Sequence, residues 1–564
     1  MLAVLVGAVS GLGAVAFQEL LDFFHTLFFT HLVSALSSFG RYDVILLPAL
    51  GGIGVGILVQ LFAREAEGHG VPEVMLAVSR FGGRIRGRVS IMKALASSLC
   101  IGSGGSAGRV GPIVQIGSSA ASFLGQRFGL SGDWLRVLVA CGAAGGISAT
   151  FNAPIAGVFF ALELILRSFS VQNFGIVVIS SVTALVVSQP FLGESPVFLV
   201  PAYALNANWE FGLYALLGVS AAVLGIGLIR LLYLMEDLFD NIPKFPKFAK
   251  PMLGGLAVGA IGVFYPEVFG VGYDSIGDAL TGSYTFNILV VIALLKILAT
   301  SFTSGSGGSG GVFAPSLFIG AMSGTAFGNA ARFIIPGLVS PAAAFGLVGM
   351  GAVFAGTARA PITAIIIVFE MTRDYEIILP LMLAVVVSTI FSRLLSRESI
   401  YTVKLIRRGI FITSASHEQG ADNIPVGDIM ATSYPSVYVD FPIRDIPGKF
   451  SSEGVHGLPV LDYQDRLVGI VTATDVGHAI SNGYEGGQAF DIASRSLITA
   501  FKDQTIFDVF GQPGAQEIGY IPVVDRDHPN LLLGVLRRQD VIQAFADAAQ
   551  RREAHASHEM GENH

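Results

Sequence analysis

Charged residues are scarce in this chain. Asp, Glu, Lys and Arg together make up 13% of its 564 residues, whereas hydrophobic residues make up 52%. Soluble domains carry about twice that share of charge, so a wholly soluble protein is excluded. Cysteine is also rare, and Cys100 and Cys141 both lie in apolar surroundings. This excludes a disulfide framework and a cysteine-based metal site.

Long apolar runs are present instead, and they recur from the N-terminus to about residue 398. Several are long enough to cross a bilayer, which predicts a polytopic all-α membrane protein. The basic segment 79–93 and the pair Arg407–Arg408 predict the cytoplasmic side of the membrane. Examples of the apolar runs are 46–62, 174–192, 211–229 and 377–395.

The composition changes sharply after residue 408, where charged residues and short strand-like runs begin. We expect a membrane domain followed by a polar linker, a cytosolic α/β domain and a flexible tail. The expected boundaries are 1–408 for the membrane domain, with halves at roughly 1–195 and 205–398, then 409–422 for the linker, 423–548 for the α/β domain and 549–564 for the tail.

One glycine-rich phrase occurs twice. Residues 102–117 read GSGGSAGRVGPIVQIG and residues 305–320 read GSGGSGGVFAPSLFIG, at an offset of 203 residues. A second pair of similar segments, 141–163 and 348–370, follows at an offset of 207. Two motifs in the same order at nearly one offset predict an internal duplication of the membrane domain rather than a Gly/Ser linker.

Both phrases predict an interrupted helix. Pro112 and Pro315 each open an apolar helix after the glycine-rich run, a position that suits proline because the first turn leaves its amides unpaired. Helix N-termini within a membrane present free N–H groups and a positive dipole end, which suit an anion. Duplicated segments with broken helices mark transport sites near the midplane. The sequence therefore predicts a pathway for anions.

Several motifs resemble those of the CLC family of chloride channels and transporters, over nearly the whole chain. The resemblance implies a CLC-like inverted repeat, a homodimer in the lipid bilayer and one pathway per subunit for chloride or a similar anion. The membrane would be the plasma (inner) membrane of a prokaryote. The motifs are GHGVPEV at 68–74, GRVGP at 108–112, FNAPIAGVFFALE at 151–163, GGVFAP at 310–315 and SIYTVKL at 399–405.

The resemblance also implies a central anion site. It would consist of the backbone amides of Val312 and Phe313 and the hydroxyl of Tyr401. Neutral N–H and O–H donors bind an anion without trapping it as a fixed lysine would. From the residues alone, Tyr401 also fits an aromatic anchor at the membrane interface.

An outer site would use the backbone around Arg109, Val110 and Gly111. Val110 stands where CLC exchangers carry a gating glutamate, and Leu164 stands where they carry an inner proton-transfer glutamate. With both acids absent, we expect a passive channel that is uncoupled from protons. The alternative is a carrier or exchanger for another anion, such as nitrate or fluoride, with atypical coupling.

Three further residues of the membrane domain admit two interpretations. His69 stands where the family usually has a pore serine, so it is either a titratable donor near the inner site or a histidine without anion contact. Glu163 and Glu370 occupy equivalent repeat positions. Acids within a membrane are functional candidates, but at the edges of helices they also serve as structural hydrogen-bond acceptors.

The soluble segment resembles a tandem pair of CBS domains, which commonly bind an adenine nucleotide such as ATP, ADP or AMP. The matching residues are Thr472 and Asp475 in the first repeat and Asp540 in the second, where Arg537 replaces the hydroxyl residue. Alternatively, the pair only packs at a dimer interface. We expect no required cofactor.

No enzyme is expected, because the chain contains neither an HExxH zinc helix nor a GxxxxGK[ST] phosphate loop. Nucleic acid is not an expected partner.

Overall fold

The structure is a computed structural model of the chain. It describes residues 1–410 and 424–544, apart from short gaps. The gaps are residues 36–41, 131, 195–196, 199–206, 243–244, 397, 409, 482, 485, 496, 511–518, 538 and 542. The expected tail and all of the expected linker except residue 410 therefore lie outside the described residues.

The chain forms two compact units, Met1–Ile412 and Thr413–His564. The first unit is helical, and π-helical turns at Leu27–Leu32 and Ala161–Leu166 extend its first and eighth helices. The helices are α1 (Leu2–Thr26), α2 (Val33–Ala35), α3 (Asp43–Phe62), α4 (Val71–Arg80), α5 (Arg88–Gly102), α6 (Val110–Arg127), α7 (Gly132–Phe151), α8 (Pro154–Phe160), α9 (Val171–Leu192), α10 (Glu210–Asp240), α11 (Lys250–Gly262), α12 (Tyr273–Leu280), α13 (Phe286–Gly305), α14 (Phe313–Ile334), α15 (Ala342–Ala358), α16 (Pro361–Thr372), α17 (Ile378–Leu395) and α18 (Ile400–Arg407).

Seven helical segments among the described residues are long and apolar enough to cross a membrane. Others, including α15 and α16, are shorter than a bilayer is thick. Long spans beside short, interrupted helices agree with the prediction of a polytopic membrane protein with broken helices.

Small residues allow the helices to approach closely. A side chain at Gly117 on α6 would overlap the carbonyl of Gly142 on α7. The equivalent pair in the second half is Gly320 on α14 and Gly349 on α15, and the same overlap would occur there. Helices in a membrane associate by such close packing, because lipid supplies no hydrophobic driving force between them.

The two halves also make reciprocal contacts. Ser97 of the first half hydrogen-bonds Ser309 of the second at 2.9 Å. The residues equivalent to this pair, Thr300 and Ser106, hydrogen-bond at 3.2 Å. Reciprocal contacts of this kind are the signature of a two-fold relation. The duplication read from the sequence therefore corresponds to two interlocked halves.

The second unit contains two similar three-stranded sheets. In each sheet a short strand pairs parallel with a central strand, which pairs antiparallel with the third. Buried apolar side chains fill a core in each repeat. The elements are α19 (Val426–Ile429), β1 (Val437–Tyr438), α20 (Ile446–Glu453), β2 (Gly457–Leu461), β3 (Leu467–Thr472), α21 (Ala473–Ser481), α22 (Ala489–Ile492), β4 (Ala500–Phe501), α23 (Ile506–Phe510), β5 (Tyr520–Val524) and β6 (Leu532–Arg537).

Candidate functional site

The two glycine-rich loops meet in the interior of the membrane unit. Gly108 N–H donates to the Gly311 carbonyl and Gly311 N–H donates to the Gly108 carbonyl, both at 2.7 Å. Each loop leads directly into a helix, the first into α6 at Val110 and the second into α14 at Phe313. The reciprocal pair of hydrogen bonds therefore fixes the N-termini of α6 and α14 beside each other.

Neither of these N-termini is capped by a side chain. Arg109 precedes α6 and Val312 precedes α14, and no capping hydrogen bond is present at either residue. The first turn of a helix leaves its amides without intrahelical partners. Val110, Val312 and Phe313 are all buried, at 1% exposure or less. The result is two sets of amide donors, with helix dipoles behind them, in a water-poor interior.

The backbone at Gly111 comes very close to that of His69. A side chain at Gly111 would overlap the His69 carbonyl, so only glycine fits. The segment containing His69 also pairs with the second loop. Gly68 N–H donates to the Gly308 carbonyl at 3.2 Å, and Gly310 N–H donates to the Gly68 carbonyl at 3.3 Å. His69 thus lies beside both loops.

The His69 side chain is 3% exposed, and its Nδ1 has no hydrogen-bond partner among the described residues. A buried polar atom without a partner is uncommon in proteins and calls for an explanation. Neither interpretation of His69 is decided by this.

Tyr401 lies in the first turn of α18 and is 2% exposed. The start of this helix is firmly held: Ser399 and Thr402 form a capping box, and Tyr233 Oη donates to the Ile400 carbonyl at 2.6 Å. Within the described part of the chain, no hydrogen bond occupies the Tyr401 hydroxyl. Its near-complete burial does not suit an aromatic anchor in the headgroup region.

Both positions at which the family resemblance places proton-handling acids are apolar and buried. Val110 is fully buried and Leu164 is 5% exposed. They lie in one hydrophobic cluster with Val312, Phe313 and Tyr401. Neither side chain can ionise.

Glu163 and Glu370 act as structural acceptors. Glu163 accepts hydrogen bonds from the amides of Ile362, at 3.2 Å, and Thr363, at 2.8 Å, in the first turn of α16. Glu370 accepts from the amides of Ile155, at 3.0 Å, and Ala156, at 2.7 Å, in the first turn of α8. Each half therefore caps a helix of the other half.

The side chain of Arg109 contacts other side chains of the protein. Its Nη1 donates to Gln18 at 2.6 Å, and the guanidinium lies over the rings of Phe151 and Tyr273. Only the backbone of Arg109 belongs to the N-terminus of α6, which is the part that the sequence analysis assigned to the outer site.

Two buried lysines were missed by the sequence analysis. Lys93 Nζ donates to the carbonyls of Ala66 and Gly68, at 3.0 and 2.7 Å. Lys296, which lies 203 residues later, donates to those of Val268 and Gly270, both at 3.0 Å. The repeat offset was the available signal, because it aligns these two lysines just as it aligns the glycine-rich phrases.

In the soluble unit, the residues matched to nucleotide contacts hydrogen-bond each other. Asp475 accepts from the amide and the hydroxyl of Thr472, at 2.8 and 2.7 Å. Arg537 forms two hydrogen bonds to Asp540, each at 2.8 Å, and this carboxylate raises the pKa of Arg537. Asp475 also lines an open cleft of about 440 Å³, together with His478 and Tyr484.

Comparisons with known proteins match both units. The profile of the voltage-gated chloride channel (CLC) family matches residues 50–393, and the CBS domain profile matches 426–482 and 489–547.

Individual relatives carry different names. A putative chloride channel protein, ClcB-like, of Ralstonia nicotianae is 33% identical, covering 72% of this chain and 96% of its own. An H⁺/Cl⁻ exchange transporter, ClcA, of Vibrio parahaemolyticus is 36% identical, over 62% of this chain and 76% of its own. The crystal structure of a slow cyanobacterial Cl⁻/H⁺ antiporter has a TM-score of 0.66 at 27% identity, covering 72% of this chain and 97% of that one.

Proposed function

Because this chain belongs to the CLC family, we propose that it conducts chloride or a similar small anion between the N-termini of α6 and α14. The single observation that carries this proposal is the meeting of two uncapped helix N-termini in the protein interior, joined by the Gly108–Gly311 hydrogen bonds. Convergent amides and positive dipole ends favour an anion. The protein is a multi-pass membrane transporter or channel and not an enzyme.

In the proposed central site, the amides of Val312 and Phe313 and the hydroxyl of Tyr401 bind the anion. The burial of the Tyr401 side chain, whose hydroxyl makes no hydrogen bond to another described residue, supports this role. In the proposed outer site, the anion contacts the backbone of residues 109–111. His69 is proposed to face the inner end of the pathway, where its unpaired Nδ1 would adjust which anion passes.

We further propose that conduction is uncoupled from protons. The support is local: Val110 and Leu164 are apolar, and Glu163 already serves as a helix cap. The names of the relatives do not support uncoupled conduction, because several are named H⁺/Cl⁻ exchange transporters. An exchanger, or a carrier for nitrate or fluoride, is the competing function.

Anion flux from proteoliposomes tests the pathway. The wild type should release chloride down its gradient when a potassium ionophore balances the charge. Tyr401→Phe removes one donor and should weaken chloride binding roughly fivefold, which corresponds to the loss of a single hydrogen bond. Tyr434→Phe, in the soluble unit, is the matched control. A wild type that releases no chloride would refute the proposed function.

The soluble unit is proposed to be cytosolic and to bind an adenine nucleotide that regulates conduction. The cleft beside Asp475 supports a binding role. Since the cleft is lined by Asp475 of the first repeat, we expect this repeat to dominate nucleotide binding. Calorimetry with ATP should show binding that Asp475→Asn weakens more than Asp540→Asn does. If ATP, ADP and AMP all fail to bind, the CBS pair would only pack at a dimer interface.

From its membership of the family, we also propose that the protein is a homodimer in a prokaryotic plasma membrane.

A further inference from the structure

Three basic residues follow one another along the end of α18, and they differ in their partners. Arg407 forms an ion pair with Asp237, and Arg408 forms one with Glu73 at 2.7 Å. Both arginines are also substantially exposed. Lys404 is only 8% exposed, and among the described residues no hydrogen bond or ion pair involves its Nζ. The most buried of the three cations is therefore the unpaired one.

Lys404 points at the segment that contains His69. A side chain at Gly68 would collide with Lys404 Nζ, which places the ammonium directly against this glycine. Lys404 also lies one helical turn after Tyr401, so both side chains occupy the same face of α18. The ammonium is thus at the end of the candidate site marked by Gly68 and His69.

A second lysine approaches the same peptide with a different role. Lys93 Nζ donates to the Gly68 carbonyl at 2.7 Å and to the Ala66 carbonyl, so the backbone satisfies it. Lys93 has a counterpart in Lys296, whereas the residues one repeat offset before Lys404 are Val197 and Pro201, neither of them basic. Lys93 belongs to the symmetric scaffold, and Lys404 is an addition on one side only.

Charged groups of both signs surround Lys404. His69 and Lys93 are the titratable neighbours on one side, and Glu236 of α10 is the acid that faces it. Within the described part of the chain, Glu236 and Lys404 do not form an ion pair. No ion pair joins the Lys404 ammonium to a carboxylate in the described part of the chain, so its charge can attract a mobile anion.

We propose that Lys404 is a fixed cation that draws small monovalent anions to the Gly68–His69 end of the pathway and sets their affinity there. The inference rests on the proposed function. A lysine at the central site would hold an anion too tightly, but one at the mouth concentrates anions where they enter or leave.

Equilibrium chloride binding to the purified full-length protein, measured by calorimetry, tests the proposal. Lys404→Met should raise the chloride dissociation constant roughly fivefold, and Lys404→Arg should stay within about twofold of the wild type. Arg407→Gln is the matched control, because it removes a cation one turn away that already has a carboxylate partner; it should also stay within about twofold. Lys404→Gln serves as a second neutral variant should the methionine variant aggregate.

Two results would overturn the role of Lys404. One is wild-type affinity in both neutral variants, and the other is an equal loss in Arg407→Gln, which would point to general surface potential. The proposed function fails separately, through a wild type that releases no chloride from proteoliposomes. If the wild type binds and conducts chloride and the neutral variants do so equally well, only the role of Lys404 is refuted.

Discussion

The two halves of the membrane unit share a scaffold but differ in the residues that face the candidate site. The scaffold contacts are duplicated: two buried lysines hold backbone carbonyls, and two glutamates cap helices of the opposite half. The side chains near the candidate site are not duplicated, although the backbone amides are. His69 corresponds to Val271, because the preceding Gly68 and Gly270 carbonyls accept equivalent lysine hydrogen bonds. Val110 aligns with Phe313 at the offset of 203 residues.

This difference predicts which residues support the fold and which ones bind a ligand. A polar group that recurs at the repeat offset, and that has its hydrogen bonds satisfied in both halves, supports the fold. A polar group that occurs once and has no partner among the described residues, such as His69 Nδ1, is a candidate for binding a ligand. The difference between the halves can be tested by substituting equivalent residues of the two halves one at a time and comparing the effects.

The largest effect is expected at the duplicated lysines. Lys93→Met and Lys296→Met each remove two charged hydrogen bonds to buried carbonyls, so each should lower the free energy of unfolding by about 3 kcal/mol. Thermal melting of the purified protein in detergent measures this. Lys250→Met is the control, because Lys250 contacts the partly exposed Asp240 at 3.4 Å. A large loss for one lysine and none for its counterpart would contradict the symmetric scaffold.

A smaller effect is expected at the duplicated glutamates. Glu163→Gln and Glu370→Gln each replace a charged helix cap with a neutral one and should lower stability by about 1 kcal/mol. Chloride flux per folded protein should remain near the wild-type value in both variants. A flux defect confined to Glu163→Gln would instead give Glu163 a role in transport.

The smallest effect is expected where the halves differ. His69→Ser should change the nitrate-to-chloride permeability ratio by about twofold, equivalent to a fraction of one hydrogen bond. Val271→Ser, at the corresponding position, should leave that ratio unchanged. Bi-ionic potential measurements in planar bilayers distinguish the two. An unaltered ratio in His69→Ser would assign His69 to the scaffold.

The sequence predicted the broken helices and the candidate site because both depend on local signals. The glycine-rich run before Pro112 and its copy before Pro315 indicated where helices begin, and the repeat offset indicated that the copies are equivalent. The family resemblance supplied Tyr401. The predicted family, fold class and CBS repeats are confirmed. The predicted roles of individual residues in binding the anion remain predictions.

Contacts between distant residues could not be read in the same way. The cap that Glu163 forms on α16 joins residues about two hundred positions apart, and it depends on how the halves interlock. Lys404 was overlooked because a basic residue at the end of a membrane helix first suggests topology. Only its burial, and its lack of a partner among the described residues, set it apart from Arg407 and Arg408.

Simultaneous recording of chloride and proton movement in proteoliposomes tests the central claim most directly. A chloride gradient is applied to the wild type, and external chloride and pH are followed together. Because Val110 and Leu164 provide no titratable group, the predicted result is chloride flux with no proton movement against a gradient. Proton uptake in fixed proportion to chloride release would contradict uncoupled conduction and make this protein an exchanger.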